Sequence, residues 1–173
     1  MNFVERVSRK FPDSFMGKDV LEIGSLDING SVRQFFESCN YVGCDLGVGK
    51  GVDIIAHGHM LDYEDNHFDT SISCECFEHD EHWKETFANM VRMTRNLVIF
   101  TCASTGRAEH GTTEHNPQDA PFTNDYYKNL TQKDFEDAFD LDKLFKEYML
   151  SAKNWVSSLF TIFILDLKIS IKY

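Results

Sequence analysis

Gly24 and Asp45 are the residues of this chain whose types and spacing point most directly to chemistry. Each closes a short apolar run, Val20-Leu21-Glu22-Ile23-Gly24 in one case and Tyr41-Val42-Gly43-Cys44-Asp45 in the other. A glycine after a strand lets the backbone approach a ligand with no Cβ in the way. An acidic residue about 20 positions later, ending the next strand, accepts hydrogen bonds from both hydroxyls of a ribose. A nicotinamide dinucleotide and S-adenosylmethionine both carry such a ribose, so the flanking residues must discriminate. Dinucleotide sites offer a glycine-rich turn and a helix N-terminus to a pyrophosphate. Here the turn is Ser25-Leu26-Asp27-Ile28-Asn29-Gly30, which places the Asp27 carboxylate near any such phosphate. S-adenosylmethionine has no phosphate, and its sulfonium and ammonium favour nearby carboxylates such as Asp27 and Glu22.

A second group of candidates lies further on. Cys74-Glu75-Cys76-Phe77-Glu78-His79-Asp80-Glu81-His82 is dense in metal-ligand types. Structural zinc sites pair C-x₂₋₄-C with a second such pair or with H-x₃₋₅-H, and this run has neither. It reads as a strand end followed by an acidic loop that starts a helix, where Asp80 and Glu81 suit the positive end of the helix dipole; no metal is expected. His79 is a candidate to orient or deprotonate a substrate, since imidazole titrates near neutral pH; a bond to a loop carbonyl is the alternative. His110 and His115, in a long polar segment, are candidates for the same work.

These residues need a scaffold, and the hydrophobic pattern supplies one. Phe3, Val4, Val7 and Phe11 share one face of a short helix, ended by Pro12 and Gly17. Asp19 to Gly24, Tyr41 to Leu46, Val52 to Ala56, Phe68 to Glu75 and Leu97 to Cys102 read as successive strands. Helices are expected over Gly30 to Cys39 and about Asp80 to Thr94. Ala103 to Asn124 has no periodicity and contains Gly106, Gly111, Pro117 and Pro121; loops of this length inside a domain are usually lids or binding loops. Thr131 caps a further helix to about Phe139, with Asp134 as its acidic partner. Phe145 to Ser151 and Phe160 to Ile169 are two closing strands with no helix-length connection, so at least one pairs antiparallel. The expected architecture is a Rossmann-like doubly wound α/β sheet, mostly parallel, of about seven strands with an antiparallel closing strand. Residues 1–173 form one domain.

Composition narrows the partners. The net charge of -11 repels phosphate backbones and anionic lipid, and no Lys/Arg cluster reverses it locally. Nucleic acid and membranes are therefore excluded as expected partners. No apolar run reaches the ~18 to 20 residues that span a bilayer, Met1 to Lys10 has no signal-peptide core, and the odd count of five cysteines suggests reduced thiols. The expected location is cytoplasmic.

From Val20 to Ser104 the chain resembles a class I S-adenosylmethionine-dependent methyltransferase of the broad type-11 group. VLEIGS is similar to that family's first motif, YVGCDL to its ribose-binding acidic motif, HFDTSISCECFEH to its fourth-strand motif, and LVIFTCAS to the strand bordering the substrate. The resemblance implies that Glu22, Gly24 and Ser25 line the methionine and ribose region, that Asp45 holds the ribose hydroxyls and that Leu46 packs on adenine. It places Cys74 and Glu75 near the methionine moiety, and His57 with Gly58 at the adenine amino group, where the family commonly has an aspartate. It implies S-adenosylmethionine as cofactor, S-adenosylhomocysteine as product and a small-molecule acceptor. The chain departs from the family at Leu26 and Ile28, which stand where further glycines are usual. A non-catalytic protein that has kept the scaffold is the rival reading.

Overall fold

The structure, a computed structural model, describes residues 3–155 and 158–167, with side chains from Phe3 to Leu150. Among the described residues seven strands form one sheet in the order β3-β2-β1-β4-β5-β7-β6. Strands β1 (Asp19–Ile23), β2 (Asn40–Asp45), β3 (Ile54–Ile55), β4 (Phe68–Cys74) and β5 (Thr94–Ala103) run parallel. Strands β6 (Phe145–Trp155) and β7 (Ser158–Leu167) close the sheet, with β7 antiparallel to both β5 and β6. Ile169, the expected end of the last strand, lies outside the described residues. The strand order reverses direction between β1 and β4, and in such sheets the crevice at the carboxyl ends beside that reversal is where ligands bind.

Both faces of the parallel strands are covered, which is why their sequences are near-continuous apolar runs. On one face Leu21, Ile23, Val98 and Phe100 pack against helix α2 (Trp83–Met93) and the segment carrying helix α3 (Gln132–Ala138) and the single helical turn α4 (Leu141–Leu144). The centre of that layer is aromatic: Phe87, Phe100 and Phe135 have ring centroids 4.8 to 5.4 Å apart. On the other face Val20, Ile72, Leu97 and Ile99 pack against Val4 and Val7 of helix α1 (Phe3–Lys10). Helix α3 begins with the expected capping box: Thr131 accepts from the Asp134 amide, and Asp134 accepts from the Thr131 amide. No described helix is long and apolar enough to cross a membrane.

One expected helix is absent. Residues 30–39 hold only a 3-10 turn, Val32–Phe35, after which Phe36 is extended and Ser38 takes φ 53°. The Leu26 to Ser31 loop stays at the carboxyl end of β1, so the few residues that remain must carry the chain back to the start of β2. A turn followed by extended residues covers more distance per residue than an α-helix, which rises only ~1.5 Å. The expected third strand is also shorter than its apolar run, pairing only at Ile54 and Ile55.

Candidate functional site

A cavity of about 310 Å³ opens at the carboxyl ends of β1, β2 and β4, roofed by residues 119–126. Its first wall is the turn after β1. Gly24 has φ +80°, and a Cβ there would lie 2.6 Å from the Cβ of Cys76, so this glycine is required both by its left-handed backbone and by the packing of the β4 end against it. The Asp45 carboxylate accepts hydrogen bonds from the amides of Leu26, at 2.9 Å, and Leu46, at 2.7 Å. It thereby ties the β1 turn to the end of β2, and with two of about four lone-pair sites used it can accept two more. Behind this wall Gly43 and Gly51 allow the 47–51 loop to lie against Ser25: a Cβ on Gly43 would meet the Gly51 carbonyl at 2.2 Å, and one on Gly51 the Ser25 carbonyl at 2.5 Å.

Glu22 lines the same cavity and accepts a 2.8 Å bond from the Tyr41 hydroxyl. Burial pushes its carboxyl up to about 7, and the Tyr41 bond offsets only part of that. Asp27, in contrast, does not line the cavity. Its carboxylate pairs with Lys50 at 2.6 Å and accepts from the Gly30 amide, so it neither repels a phosphate nor attracts a sulfonium directly.

The opposite wall is formed by the end of β4 and the turn that leads into α2. Glu75 takes φ 54°, a region uncommon for a residue with a side chain and found where surrounding structure imposes it. Its carboxyl bonds Thr101 and stands beside the wholly buried carboxyl of Glu78. Burial raises both groups above the ordinary carboxylate range, and Arg107 eases both. His79 packs edge-on to His110, ring centroids 5.0 Å apart, and both lie against Tyr127. Burial, reinforced by His110, pushes His79 down to about 4, so at neutral pH its imidazole is an uncharged hydrogen-bonding group and a weak base. Gly111 has φ +67°, and a Cβ on it would lie 2.7 Å from the His79 ring, so the long loop is packed down onto this wall.

The structure gathers Glu22, Gly24, Ser25, Asp45, Leu46, His57, Gly58, Cys74, Glu75 and His79 around one cavity. His110 touches His79 from behind without lining the cavity. His115 is exposed, 3.5 Å from Glu109, and is not brought to it. Leu26 lines the cavity while its Cδ1 fills the space a Cβ on Gly49 would need, so a bulky residue in this turn is accommodated by the missing side chain of Gly49. Sequence reasoning weighed Cys76, Asp80 and His82 only as metal-ligand or helix-start residues and not as cavity lining, and it passed over Gly43 and Gly51. The Val48–Lys50 glycine-flanked turn was the available signal for the last pair.

No family model matches the sequence, and no curated protein matches it. Solved structures do match. The N-terminal domain of EvdMO1, crystallised with S-adenosylhomocysteine and D-fucose, is 15% identical with a TM-score of 0.65, over 97% of this chain and 84% of that one. The Burkholderia thailandensis 1,6-didemethyltoxoflavin-N1-methyltransferase is 10% identical with a TM-score of 0.65, over 95% and 76%. The Haemonchus contortus phosphoethanolamine N-methyltransferase 2 is 14% identical with a TM-score of 0.64, over 95% and 52%. The fold is that of class I S-adenosylmethionine-dependent methyltransferases. Within that methyltransferase fold the chain spans about half the length of the Haemonchus enzyme and of the CurJ carbon methyltransferase, at 52% of each.

Proposed function

We propose that the cavity binds S-adenosylmethionine and that the protein transfers its methyl group to a small-molecule acceptor. One observation carries this reading: Asp45, Asp80, Glu81 and Asp119 line the cavity beside the raised carboxyls of Glu22 and Glu75, and among the described residues no lysine or arginine does. Such a lining repels a pyrophosphate and attracts a sulfonium and an ammonium. Several proteins with this fold were solved with S-adenosylmethionine or S-adenosylhomocysteine bound, which supports the same donor here. Asp45 holds the ribose hydroxyls with its free lone pairs, the Gly24 turn admits the methionine arm, and Leu46, His57 and Gly58 enclose the adenine.

Methyl transfer from a sulfonium is an in-line displacement that extinguishes positive charge, so alignment and exclusion of water supply most of the catalysis. His79, Tyr126 and the 119–126 roof line the remainder of the cavity and receive the acceptor. Neutral His79 accepts a hydrogen bond from an acceptor hydroxyl or amine and orients it. The test is methyl transfer from labelled S-adenosylmethionine to a panel of small hydroxyl, amine and carboxylate compounds. Stoichiometric S-adenosylhomocysteine and a methylated product are expected from at least one class. Donor binding with no transfer to any class would favour the rival reading, a binding protein on the methyltransferase scaffold.

A further inference from the structure

Behind the acceptor wall, three donor groups converge from two segments distant in sequence. Glu78 and His79 come from the turn after β4, and His110 from the long loop; one ligand atom of each lies within 4.8 Å of the others. Glu78 is fully buried, His79 is 8% exposed and His110 9%. The Nδ1 of His79 has no hydrogen-bond partner, and the Glu78 oxygens meet only Glu75 and the backbone amides of Glu78 and Ala103, none of them in good hydrogen-bond geometry. Unanswered polar atoms this deep are rare and ask for an unseen partner.

The two imidazoles are already set in ligand form. His110 Nδ1 sits 3.1 Å from the Ala108 carbonyl, so that nitrogen carries the proton and Nε2 is left as a lone pair. The Tyr126 backbone is the hydrogen-bonding group beside the His79 ring, and the Nδ1 of His79 has no partner, which leaves that nitrogen available as a lone pair. Metal-bound histidines are oriented in this way, one ring nitrogen on a carbonyl and the other on the ion. The wholly buried Glu78 carboxyl stands beside Glu75 and Arg107, and a buried carboxylate needs a proton or a cation beside it.

We propose that Glu78, His79 and His110 bind a divalent transition-metal ion, of the zinc, iron(II) or cobalt(II) class. Two imidazoles and one carboxylate suit these ions, and three protein donors leave a position for water or an acceptor oxygen. Ligand bonds near ~2.1 Å bring donors to ~3.4 Å from one another, so each group closes by on the order of an ångström. The ion links the end of β4 to the loop at Gly111, whose lack of a Cβ already admits the backbone to within contact of His79. This inference stands on the side-chain cluster and needs no methyl transfer, but it engages the one lone pair of His79, so an ion there replaces the acceptor hydrogen bond of the methyl-transfer reading.

The experiment uses the full chain, stripped with a chelator and titrated with cobalt(II), with zinc(II) as competitor. One equivalent per chain is expected, with ligand-field absorption that zinc abolishes. In wild-type protein, zinc should move the imidazole nitrogen resonances of two of the seven histidines and leave the others in place. His110→Gln should weaken cobalt binding at least tenfold, and His67→Gln, on the exposed far side, should leave it within twofold. Uptake below half an equivalent at 0.1 mM cobalt, movement of the His57, His59 and His82 rings instead of two others, or equal binding by a folded His110→Gln variant would each overturn the site. The resonance measurement decides the matter even if His110→Gln fails to fold, because it needs no variant.

Discussion

At the β1–β2 end of the cavity the polar groups are largely engaged before any ligand arrives. Asp45 holds two amides, Asp27 is paired with Lys50 and capped by Gly30, and Glu22 accepts from Tyr41. At the β4 end the Oγ of Ser73, an oxygen of Glu75, both oxygens of Glu78 and the Nδ1 of His79 are buried without a hydrogen bond of good geometry, and Glu75 is held in a left-handed conformation. Ser25, with its own unanswered hydroxyl, is the exception on the first side. The contrast teaches how the fold divides its work. One wall is preorganised by backbone contacts that need no occupant; the other stores desolvated groups whose cost is recovered only when something binds.

The largest effect is expected from attacking the preorganised wall at its tightest point. Gly24→Ala adds a Cβ in a left-handed position and against Cys76, so strain and overpacking together should cost about 2 to 5 kcal/mol, read as a lowered denaturant midpoint. A loss under ~0.5 kcal/mol would mean that the turn relaxes freely and that this wall is not rigid.

Glu22 sharpens the comparison next, because burial moves its carboxyl into the neutral pH range. Its carboxyl sits at about 7 in the folded protein against an ordinary 4.5. A raised carboxyl stabilises the fold fully below the unfolded value, and that contribution is lost as pH rises through the folded one. Stability should therefore decline from about pH 4.5 to 7 by up to about 3 kcal/mol, and Glu22→Gln should flatten that slope. Donor affinity should run the other way and rise with pH through about 7, since the ionised carboxylate attracts the sulfonium. Unchanged pH profiles in the variant would remove Glu22 from both roles.

Asp45→Ala takes away ribose bonds and the tether between Leu26 and Leu46. Losing charge-assisted hydrogen bonds costs ~1.5 to 3 kcal/mol, or roughly tenfold or more in S-adenosylhomocysteine affinity, measurable by calorimetry. The smallest effect belongs to His115, which is exposed. His115→Ala should leave turnover within about twofold, whereas His79→Ala should lower turnover while leaving donor affinity near its starting value. Equal effects of the two variants would deny the acceptor wall its role.

The parallel strands, their order of appearance and the first wall were legible in the sequence, because they rest on local signals. An apolar run ending in Gly24 and another ending in Asp45 fix where a ribose can sit once the strands are adjacent. Residues 30–39 mislead, since Val32, Phe35 and Phe36 fall at helical spacing while the distance to β2 favours a turn and extended chain. The position of Asp27 in its turn suggests a ligand contact, yet Lys50, far along the sequence, claims its carboxylate. The second wall was only half visible. His79 announces itself beside β4, but nothing local says that His110 rather than His115 folds back onto it. That choice is made by Gly111, whose φ +67° and missing Cβ bring one histidine in and leave the other in solvent.

The ligand that the cavity accepts is the most direct test. Calorimetric titration of the protein with S-adenosylhomocysteine, and separately with NAD, compares the two ligands that share a ribose and differ in charge. The acidic lining, with no lysine or arginine among the described residues, predicts saturable one-to-one binding of S-adenosylhomocysteine, weakened tenfold or more by Asp45→Ala, and no measurable binding of NAD. Binding of NAD in preference to S-adenosylhomocysteine, or S-adenosylhomocysteine affinity untouched by Asp45→Ala, would contradict it.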